Sequence, residues 1–139
     1  MNKLVIYTDG GSRGNPGPSA IGVVIKDSSE KLLKTYGEKI GYGTNNEAEY
    51  KAIIFALEKA KLLLGKKKAK ETEIHIKMDS ELAFRQLTGI YKLKDEKIQK
   101  FFIEIHNLKT EFKKVTFEHI KREYNKEADA ALNKAFDDL

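Results

Sequence analysis

Apolar positions along the chain follow two different spacings, and these separate strands from helices. Short runs rich in β-branched and aromatic residues predict five strands, at residues 4–8, 20–26, 32–40, 73–78 and 115–120. The second and third runs are separated only by a short polar segment, so they predict an antiparallel hairpin. The first run ends at Asp9, which would place a carboxylate at the inner end of a buried strand.

Apolar residues spaced three or four apart predict helices in the rest of the chain. These helices cover residues 45–64, 81–88, 95–109 and 126 to the C-terminus. The expected N-caps are Thr44 or Asn45, Ser80 and Asn125, and Gly65 is expected to end the first helix. The remaining stretches are rich in glycine, proline or lysine and predict loops, at residues 10–18, 41–43, 66–70 and 121–124.

The order of these elements predicts a single α/β domain over residues 1–139. Three consecutive strands form an antiparallel meander. Each of the two later strands follows helical segments, so right-handed crossovers would add them parallel to the first strand. The expected architecture is therefore a five-stranded mixed sheet flanked by helices.

Four acidic residues fall where a strand ends or where a helix faces the sheet. Asp9 and Asp79 follow two strands predicted to be parallel, and the carboxyl ends of parallel strands meet at one edge of a sheet. Glu49 continues the apolar stripe of the first long helix, whereas Glu47 lies about 200° away around that helix, so only Glu49 faces inward. Asp129 shares a face with apolar residues of the last helix. The four carboxylates are expected to meet in one cleft.

Carboxylates gathered in a cleft repel one another, and a divalent cation bound through oxygen is the simplest compensation. Two such ions can activate a water and stabilise the leaving oxygen of a phosphodiester. The net charge of +5 favours polyanionic partners, of which nucleic acid is the commonest. The chain has no Cys, which excludes disulfide partners, thiolate catalysis and thiolate zinc sites. Phosphodiester cleavage is the leading hypothesis.

The segments around the four acids resemble, in order and spacing, the four motifs of the type 1 ribonuclease H family. The matching segments are residues 7–18, 44–50, 78–80 and 125–129. The resemblance extends over essentially the whole chain and implies a ribonuclease H-like fold. It also implies endonucleolytic hydrolysis of the RNA strand of RNA–DNA hybrids. By the same resemblance, Asp9, Glu49, Asp79 and Asp129 would be ligands of two Mg²⁺ or Mn²⁺ ions.

The resemblance also indicates which residues would contact the substrate and where the chain departs from the family. Bacterial members carry a loop His before the fourth acid, and Glu123 occupies that place here. The shorter loop is similar to the archaeal-type branch, in which an Arg, here Arg122, assists catalysis. The basic helix that grips the hybrid in some members is absent. The residues implied to contact the substrate backbone are Gly14, Asn15, Thr44, Asn45 and Asn46.

Two alternatives stay open at this stage. A module of the same fold could bind a hybrid or double-stranded RNA without cleaving it, because the loop His is missing. A related two-metal nuclease could act on another substrate, such as a Holliday junction. The sequence shows no apolar run long enough for a membrane span and no signal peptide, and the lack of Cys fits a reducing compartment. We therefore expect a cytoplasmic monomer with no membrane partner.

Overall fold

Five strands form one mixed sheet in the computed structural model, which describes residues 2–137. The strands are β1 (Lys3–Ser12), β2 (Gly17–Asp27), β3 (Leu32–Gly43), β4 (Glu73–Met78) and β5 (Lys114–His119). Their order across the sheet is β3-β2-β1-β4-β5. β1 and β3 pair with β2 in antiparallel fashion, whereas β4 is parallel to both β1 and β5. The predicted α/β fold, with a meander followed by two parallel strands, is confirmed.

Helices cover both faces of this sheet. They are α1 (Asn45–Leu64), α2 (Lys66–Lys70), α3 (Glu81–Leu87), α4 (Glu96–Lys109) and α5 (Lys126–Asp137), and a 3₁₀ turn covers Arg122–Tyr124. α1 packs on β1 and β2 and also contacts α4, while α5 packs on β2 and β3. Within residues 2–137, none of the helices has the length and apolar character needed to cross a membrane.

The start of α1 is held by its own side chains. Thr44 is the N-cap, as expected, and its hydroxyl accepts a hydrogen bond from the Glu47 amide. The Glu47 carboxylate in turn accepts one from the Thr44 amide at 3.1 Å, which completes a capping box. Glu47 is thereby engaged at the helix end, whereas Glu49 is buried. The predicted difference in direction between the two acids is confirmed.

The main core lies between the sheet and α1. Alternate residues of the parallel strands point into it, while α1 contributes the apolar stripe read from the sequence, and α4 closes one side. The largest fully buried apolar side chains are Ile6, Ile21, Ile25, Ile53, Leu57, Ile74, Ile76, Met78 and Ile105.

Two glycines let helices approach the sheet at the level of the site. A Cβ on Gly10 would lie 2.2 Å from the Ala48 carbonyl oxygen of α1, and a Cβ on Gly22 would lie 2.0 Å from the Ala128 oxygen of α5. Asp9 pairs with Gly22 across β1 and β2, so Asp9 and Gly22 face α5 while Gly10 faces α1. The missing side chains therefore bring both helices, and the acids they carry, onto the end of β1.

Four loop predictions are wrong in part. Residues 10–12 belong to β1, because they pair with residues 19–21 of β2, and residues 17–18 belong to β2, because they pair with residues 42–43 of β3. Residues 41–43 continue β3, because they pair with residues 17–19 beyond a register shift. In each case the inter-strand hydrogen bonds override the low strand propensity of Gly and Pro. The Lys66–Lys70 segment forms the short helix α2, and residues 122–124 form the 3₁₀ turn.

Candidate active site

A cavity of about 360 Å³ opens at the carboxyl ends of the parallel strands β1 and β4, where ligands of mixed and parallel sheets commonly bind. It is lined by Asp9, Gly10, Gly11, Asn45, Asn46, Glu49, Asp79, Ser80, Leu82, Arg122, Asp129 and Leu132. All four acids predicted from the sequence thus lie on the wall of one cavity.

Three of the acids form a tight group. Each of Asp9, Glu49 and Asp79 offers a carboxylate oxygen, and these oxygens all lie within 4.8 Å of one another. Asp9 comes from β1, Glu49 from the second turn of α1, and Asp79 from the residue after β4. The Gly10 amide donates to Glu49 Oε1 at 3.0 Å, which fixes this carboxylate against the strand. The group has the oxygen chemistry that hard divalent cations require.

Asp129 approaches the group from the opposite face of the sheet. It lies near the start of α5, is half-buried, and lines the cavity. Its carboxylate is close enough to Asp9 for its charge and hydrogen bonding to raise the pKa of Asp9. It is not one of the three acids whose oxygens lie within 4.8 Å of each other. The structure therefore places Asp129 beside the group rather than within it.

The surroundings of Asp9 and Glu49 favour the protonated forms of these two acids when no cation is bound. Burial, followed by the charges of Asp79 and Asp129, raises the pKa of Asp9 to about 7. Burial and the charge of Asp9 raise the pKa of Glu49 well above its usual range, although the Gly10 amide opposes this. In the part of the chain that the structure describes, no Lys, Arg or His forms an ion pair with any of the four acids. Such a site fits a divalent cation.

Asn125 is a site residue that the sequence reasoning missed. We predicted only that it caps the last helix, and its carbonyl oxygen does accept the first helical bond, from the Asp129 amide at 3.1 Å. Its side chain is buried and serves another purpose. Asn125 Nδ2 donates to the Thr8 carbonyl oxygen at 2.9 Å and to Asp79 Oδ2 at 3.3 Å. This residue therefore connects the start of α5 to β1 and to a carboxylate of the site.

The loop before α5 contributes one cation to the cavity. The exposed Arg122 lines it, whereas Glu123 is exposed and is not among the lining residues. His119, at the end of β5, lies near the same edge, with Nε2 3.3 Å from the Asp79 carbonyl oxygen. Its ring lies 6.0 Å from that of Phe84. Of the two candidates to replace the loop His, only Arg122 lies at the cavity wall.

The predicted substrate contacts surround the start of α1. Asn45 and Asn46 line the cavity, whereas Gly14, Asn15 and Thr44 do not. Asn45 Oδ1 accepts hydrogen bonds from the Ser12 amide at 2.9 Å and the Ser12 hydroxyl at 3.1 Å. Asn15 Oδ1 accepts from the Asn45 amide at 3.0 Å. A backbone N–H can only donate, so both side-chain oxygens face the protein and both NH₂ groups remain for a ligand.

A second hydrogen-bonded group holds Asn46. Gln86 Oε1, on α3, accepts from Asn46 Nδ2 at 3.2 Å and from the Tyr50 hydroxyl at 3.0 Å. Tyr50 is fully buried, and its burial raises the pKa of the phenol. Gln86 was not predicted to matter, because only the tertiary fold brings α3 against α1. The cavity wall also includes two apolar residues that no sequence motif indicated, Leu82 and Leu132.

A family model and curated relatives match nearly the whole of this chain. The family model described as "Reverse transcriptase-like" matches residues 7–135. Ribonuclease HI of Halobacterium salinarum is 38% identical over 132 residues, covering 95% of this chain and 63% of the relative. A bifunctional protein of Mycobacterium tuberculosis is 37% identical over 136 residues, covering 97% of this chain and 36% of the relative. The chain thus spans only part of the length of these relatives.

Solved structures agree along nearly the whole chain. LC11-RNase H1, isolated from compost by a metagenomic approach, superposes with a TM-score of 0.90 at 46% identity, covering 99% of this chain and 97% of that chain. The same enzyme has been solved in complex with an RNA/DNA hybrid; that structure has a TM-score of 0.91 at 44% identity and 96% coverage of both chains.

Proposed function

Because this chain belongs to the type 1 ribonuclease H family, we propose that it is an endoribonuclease that hydrolyses the RNA strand of RNA–DNA hybrids. The observation that carries the proposal is the convergence of Asp9, Glu49 and Asp79 from three separate elements into one cavity. A relative of 44% identity has been solved with an RNA/DNA hybrid, which supports the same substrate class here. We further propose that residues 1–139 act as one domain and as a monomer. A cytoplasmic location stays a prediction.

We propose that Asp9, Glu49, Asp79 and Asp129 hold two Mg²⁺ or Mn²⁺ ions. The donor set supports this, because carboxylates supply hard oxygen ligands. Burial, followed by the charges of neighbouring acids, raises the pKa of Asp9 and Glu49, and no protein cation within residues 2–137 compensates this by an ion pair. When bound, such ions activate a water and stabilise the oxygen that leaves the scissile phosphate. The contribution of Gly10 is to orient Glu49 through its amide.

Arg122 is the residue proposed to assist the reaction from the cavity wall. A guanidinium offers hydrogen-bond donors and no acceptor, so Arg122 serves as a hydrogen-bond donor rather than as a proton carrier. It could hold a non-bridging oxygen of the scissile phosphate and neutralise charge as the bond breaks. The exposed Glu123 lies outside the cavity lining, which makes it the weaker candidate.

The amide groups around α1 are proposed to read the strand that is cut. Asn15 and Asn45 direct their oxygens into the protein, so their NH₂ groups can donate to 2′-hydroxyls and to base edges in the minor groove. Asn46 lies on the cavity wall, where a hydrogen bond to Gln86 holds its side chain. Gly14 has no side chain, and the Thr44 hydroxyl is occupied as the N-cap of α1. Both residues would therefore contact the substrate mainly through the backbone.

A cleavage assay tests the proposal. Labelled hybrid, double-stranded RNA and single-stranded RNA are incubated with wild type and with Asp9→Asn, each with Mg²⁺ or Mn²⁺. We expect internal cuts in the RNA of the hybrid by the wild type, and loss of cleavage with retained hybrid binding in Asp9→Asn. Undiminished cutting by Asp9→Asn would exclude the site. Binding without cutting by the wild type would favour the non-cleaving module, and cutting confined to another substrate would favour a different nuclease.

A further inference from the structure

A second cavity, of about 380 Å³, lies between the tip of the β1–β2 hairpin, the end of β3 and the end of α5. Its lining residues are Arg13, Pro18, Ser19, Lys39, Gly41 and Phe136. None of these residues is one of the four site acids or one of the predicted substrate contacts. Two of the six are cations, and the cavity wall includes no acid among the residues that the structure describes.

Arg13 is fixed in place by two side chains of α5. Its guanidinium carbon lies 4.4 Å from the centre of the Phe136 ring, and its Nη2 lies 3.0 Å from Asp137 Oδ1. The Arg13 amide also donates to the Pro18 carbonyl at 2.8 Å, which holds the backbone of the hairpin tip. The ion pair is weak, because its side chains are 55% and 68% exposed. A stronger anion could therefore displace Asp137 while the ring keeps Arg13 in position.

Lys39 reaches the same cavity from β3. Gly37, two residues earlier on that strand, faces α5, since a Cβ there would lie 2.3 Å from the Ala131 oxygen. Residues two apart on a strand share a face, so Lys39 also points to the α5 side. Lys39 is exposed and forms no ion pair with any residue from 2 to 137. One guanidinium and one free ammonium thus line a single cavity.

This cavity adjoins the active site on two sides. Leu132 lines the active-site cavity and Phe136 lines the second one, and these residues lie one turn apart on α5, about 6 Å along its axis. On the other side, Arg13 follows Gly11 of the active-site wall by two residues. Successive phosphates of a duplex strand rise about 3.4 Å along the axis. A strand whose scissile phosphate lies at the acids would therefore bring another phosphate to the second cavity within a few nucleotides.

We propose that Arg13 and Lys39 form a binding subsite for one phosphate of the RNA strand, one to three nucleotides from the cut. The guanidinium fork matches two phosphate oxygens, and the lysine adds a point charge. The RNA strand is favoured over the DNA strand, because Arg13 lies on the same hairpin tip as Asn15, whose NH₂ group is free to read the strand being cut. The inference rests on the proposed hydrolysis of hybrids.

The test compares Arg13→Ala and Lys39→Ala with a matched control, Lys34→Ala, which removes an exposed lysine from the same strand at its far end. Hybrid affinity is measured by anisotropy over a range of KCl concentrations, and kcat and KM are measured with Mg²⁺. The hybrids carry a single uncharged methylphosphonate, moved one position at a time along the RNA strand and then along the DNA strand.

For Arg13→Ala we expect about 3- to 10-fold weaker binding, a salt slope shallower by about one, and kcat within about twofold of wild type. One RNA methylphosphonate within three nucleotides of the cut should weaken wild-type binding and leave Arg13→Ala unaffected. Lys39→Ala should show smaller shifts in the same direction, and Lys34→Ala none.

Equal behaviour of Arg13→Ala and Lys34→Ala, or a sensitive phosphate on the DNA strand only, would overturn the subsite. The binding measurements need no turnover, so they decide the subsite even if the wild type fails to cut. Absence of cutting, with one sensitive RNA phosphate that is lost in Arg13→Ala, would reject the proposed hydrolysis and leave Arg13 and Lys39 as a phosphate contact of the bound hybrid.

Discussion

At the scale of single residues, the site is a compromise between burial and charge. Asp9 is buried beside Glu49, and two further acids act on it, so its pKa rises to about 7. Protons and metal ions compete for the same oxygens, because a carboxylate must be ionised to bind a cation. Metal affinity should therefore increase as the pH rises through about 7.

The substitution Asp9→Asn should stabilise the metal-free protein above neutral pH. The folded state raises the pKa of Asp9 from 3.8 to about 7, so protonated Asp9 favours the folded state. This contribution to the free energy of unfolding is complete below pH 3.8 and is lost as the pH rises through about 7. The isosteric amide carries no charge, so we expect Asp9→Asn to be more stable than wild type at pH 8 by about 1–3 kcal/mol. At pH 4 the two should be nearly equal. Denaturant unfolding in EDTA measures the difference.

Asp27→Asn is the control of opposite sign. Hydrogen bonds from Ser29 and Lys31 lower the pKa of Asp27 in the folded state. Its stabilising contribution to the free energy of unfolding is therefore present at neutral pH and is lost on acidification. Asp27→Asn should therefore be less stable than wild type at pH 8. If Asp9→Asn were also destabilised there, strain or a lost hydrogen bond would dominate over relief of repulsion, and the electrostatic account of the site would be wrong.

Asn125→Ala should weaken metal binding as well as stability. The substitution leaves the Thr8 carbonyl without its buried donor and removes the hydrogen bond that orients Asp79. We expect a loss of about 1–3 kcal/mol in unfolding free energy, and an approximately tenfold higher Mn²⁺ concentration at the midpoint of a thermal-shift titration.

Thr72→Val is the matched control for Asn125→Ala. Thr72 is also a buried polar residue, and its hydroxyl donates to the Lys68 carbonyl at 2.6 Å, but it immediately precedes β4, at the end of that strand away from the acids. It should lower stability without shifting the Mn²⁺ midpoint. Equal midpoints for Asn125→Ala and wild type would show that Asn125 supports only the fold.

At the scale of elements, the sequence predicts best where local pattern and tertiary packing agree. The limits of α1 and β4 were predicted correctly, because a cap, a glycine stop and strict alternation mark them. The strand character of residues 10–12 and 41–43 could not be predicted, since it comes from pairing with β2, at residues 19–21 and 17–19 respectively. In the same way, nothing local indicates that α3 supplies Gln86 to Asn46, or that α5 supplies Phe136 to Arg13.

Adjacent glycines of β1 should respond differently to the same substitution. A Cβ on Gly10 would overlap the backbone of α1, with the Ala48 oxygen at 2.2 Å, whereas a Cβ on Gly11 would have no neighbour closer than 3.8 Å. We expect Gly10→Ala to cost about 1–3 kcal/mol of unfolding free energy by pushing α1 from the sheet, and Gly11→Ala to change it by less than about 0.5 kcal/mol. Chemical denaturation measures both.

Displacement of α1 would also move Glu49, which is bound to the Gly10 amide. Gly10→Ala should therefore raise the Mn²⁺ midpoint as well as lower stability. Equal stabilities of the two variants would mean that α1 can shift at little cost, and that close packing does not set the position of Glu49.

At the scale of the whole molecule, opposite charges are separated between the site and the surface. The net charge is +5, although the four site acids contribute negative charge, so the surface outside the cavity is strongly basic. The sequence shows the charge and the four acids, but their separation in space follows only from the sheet order that brings β1 next to β4. A basic surface attracts a polyanion over a distance, whereas an acidic cavity repels a phosphate unless cations are bound between them.

This separation predicts that monovalent salt acts on binding rather than on the chemical step. Between 50 and 200 mM KCl, with free Mg²⁺ held constant, kcat/KM for a hybrid should fall by about tenfold to a hundredfold, because phosphate contacts release counterions. The value of kcat at saturating hybrid should change by less than about twofold, since a multivalent carboxylate site binds K⁺ poorly. A shorter hybrid, with fewer phosphates over the basic surface, should show a shallower slope. A fall confined to kcat, with KM unchanged, would place the salt effect inside the cavity and contradict this division of charge.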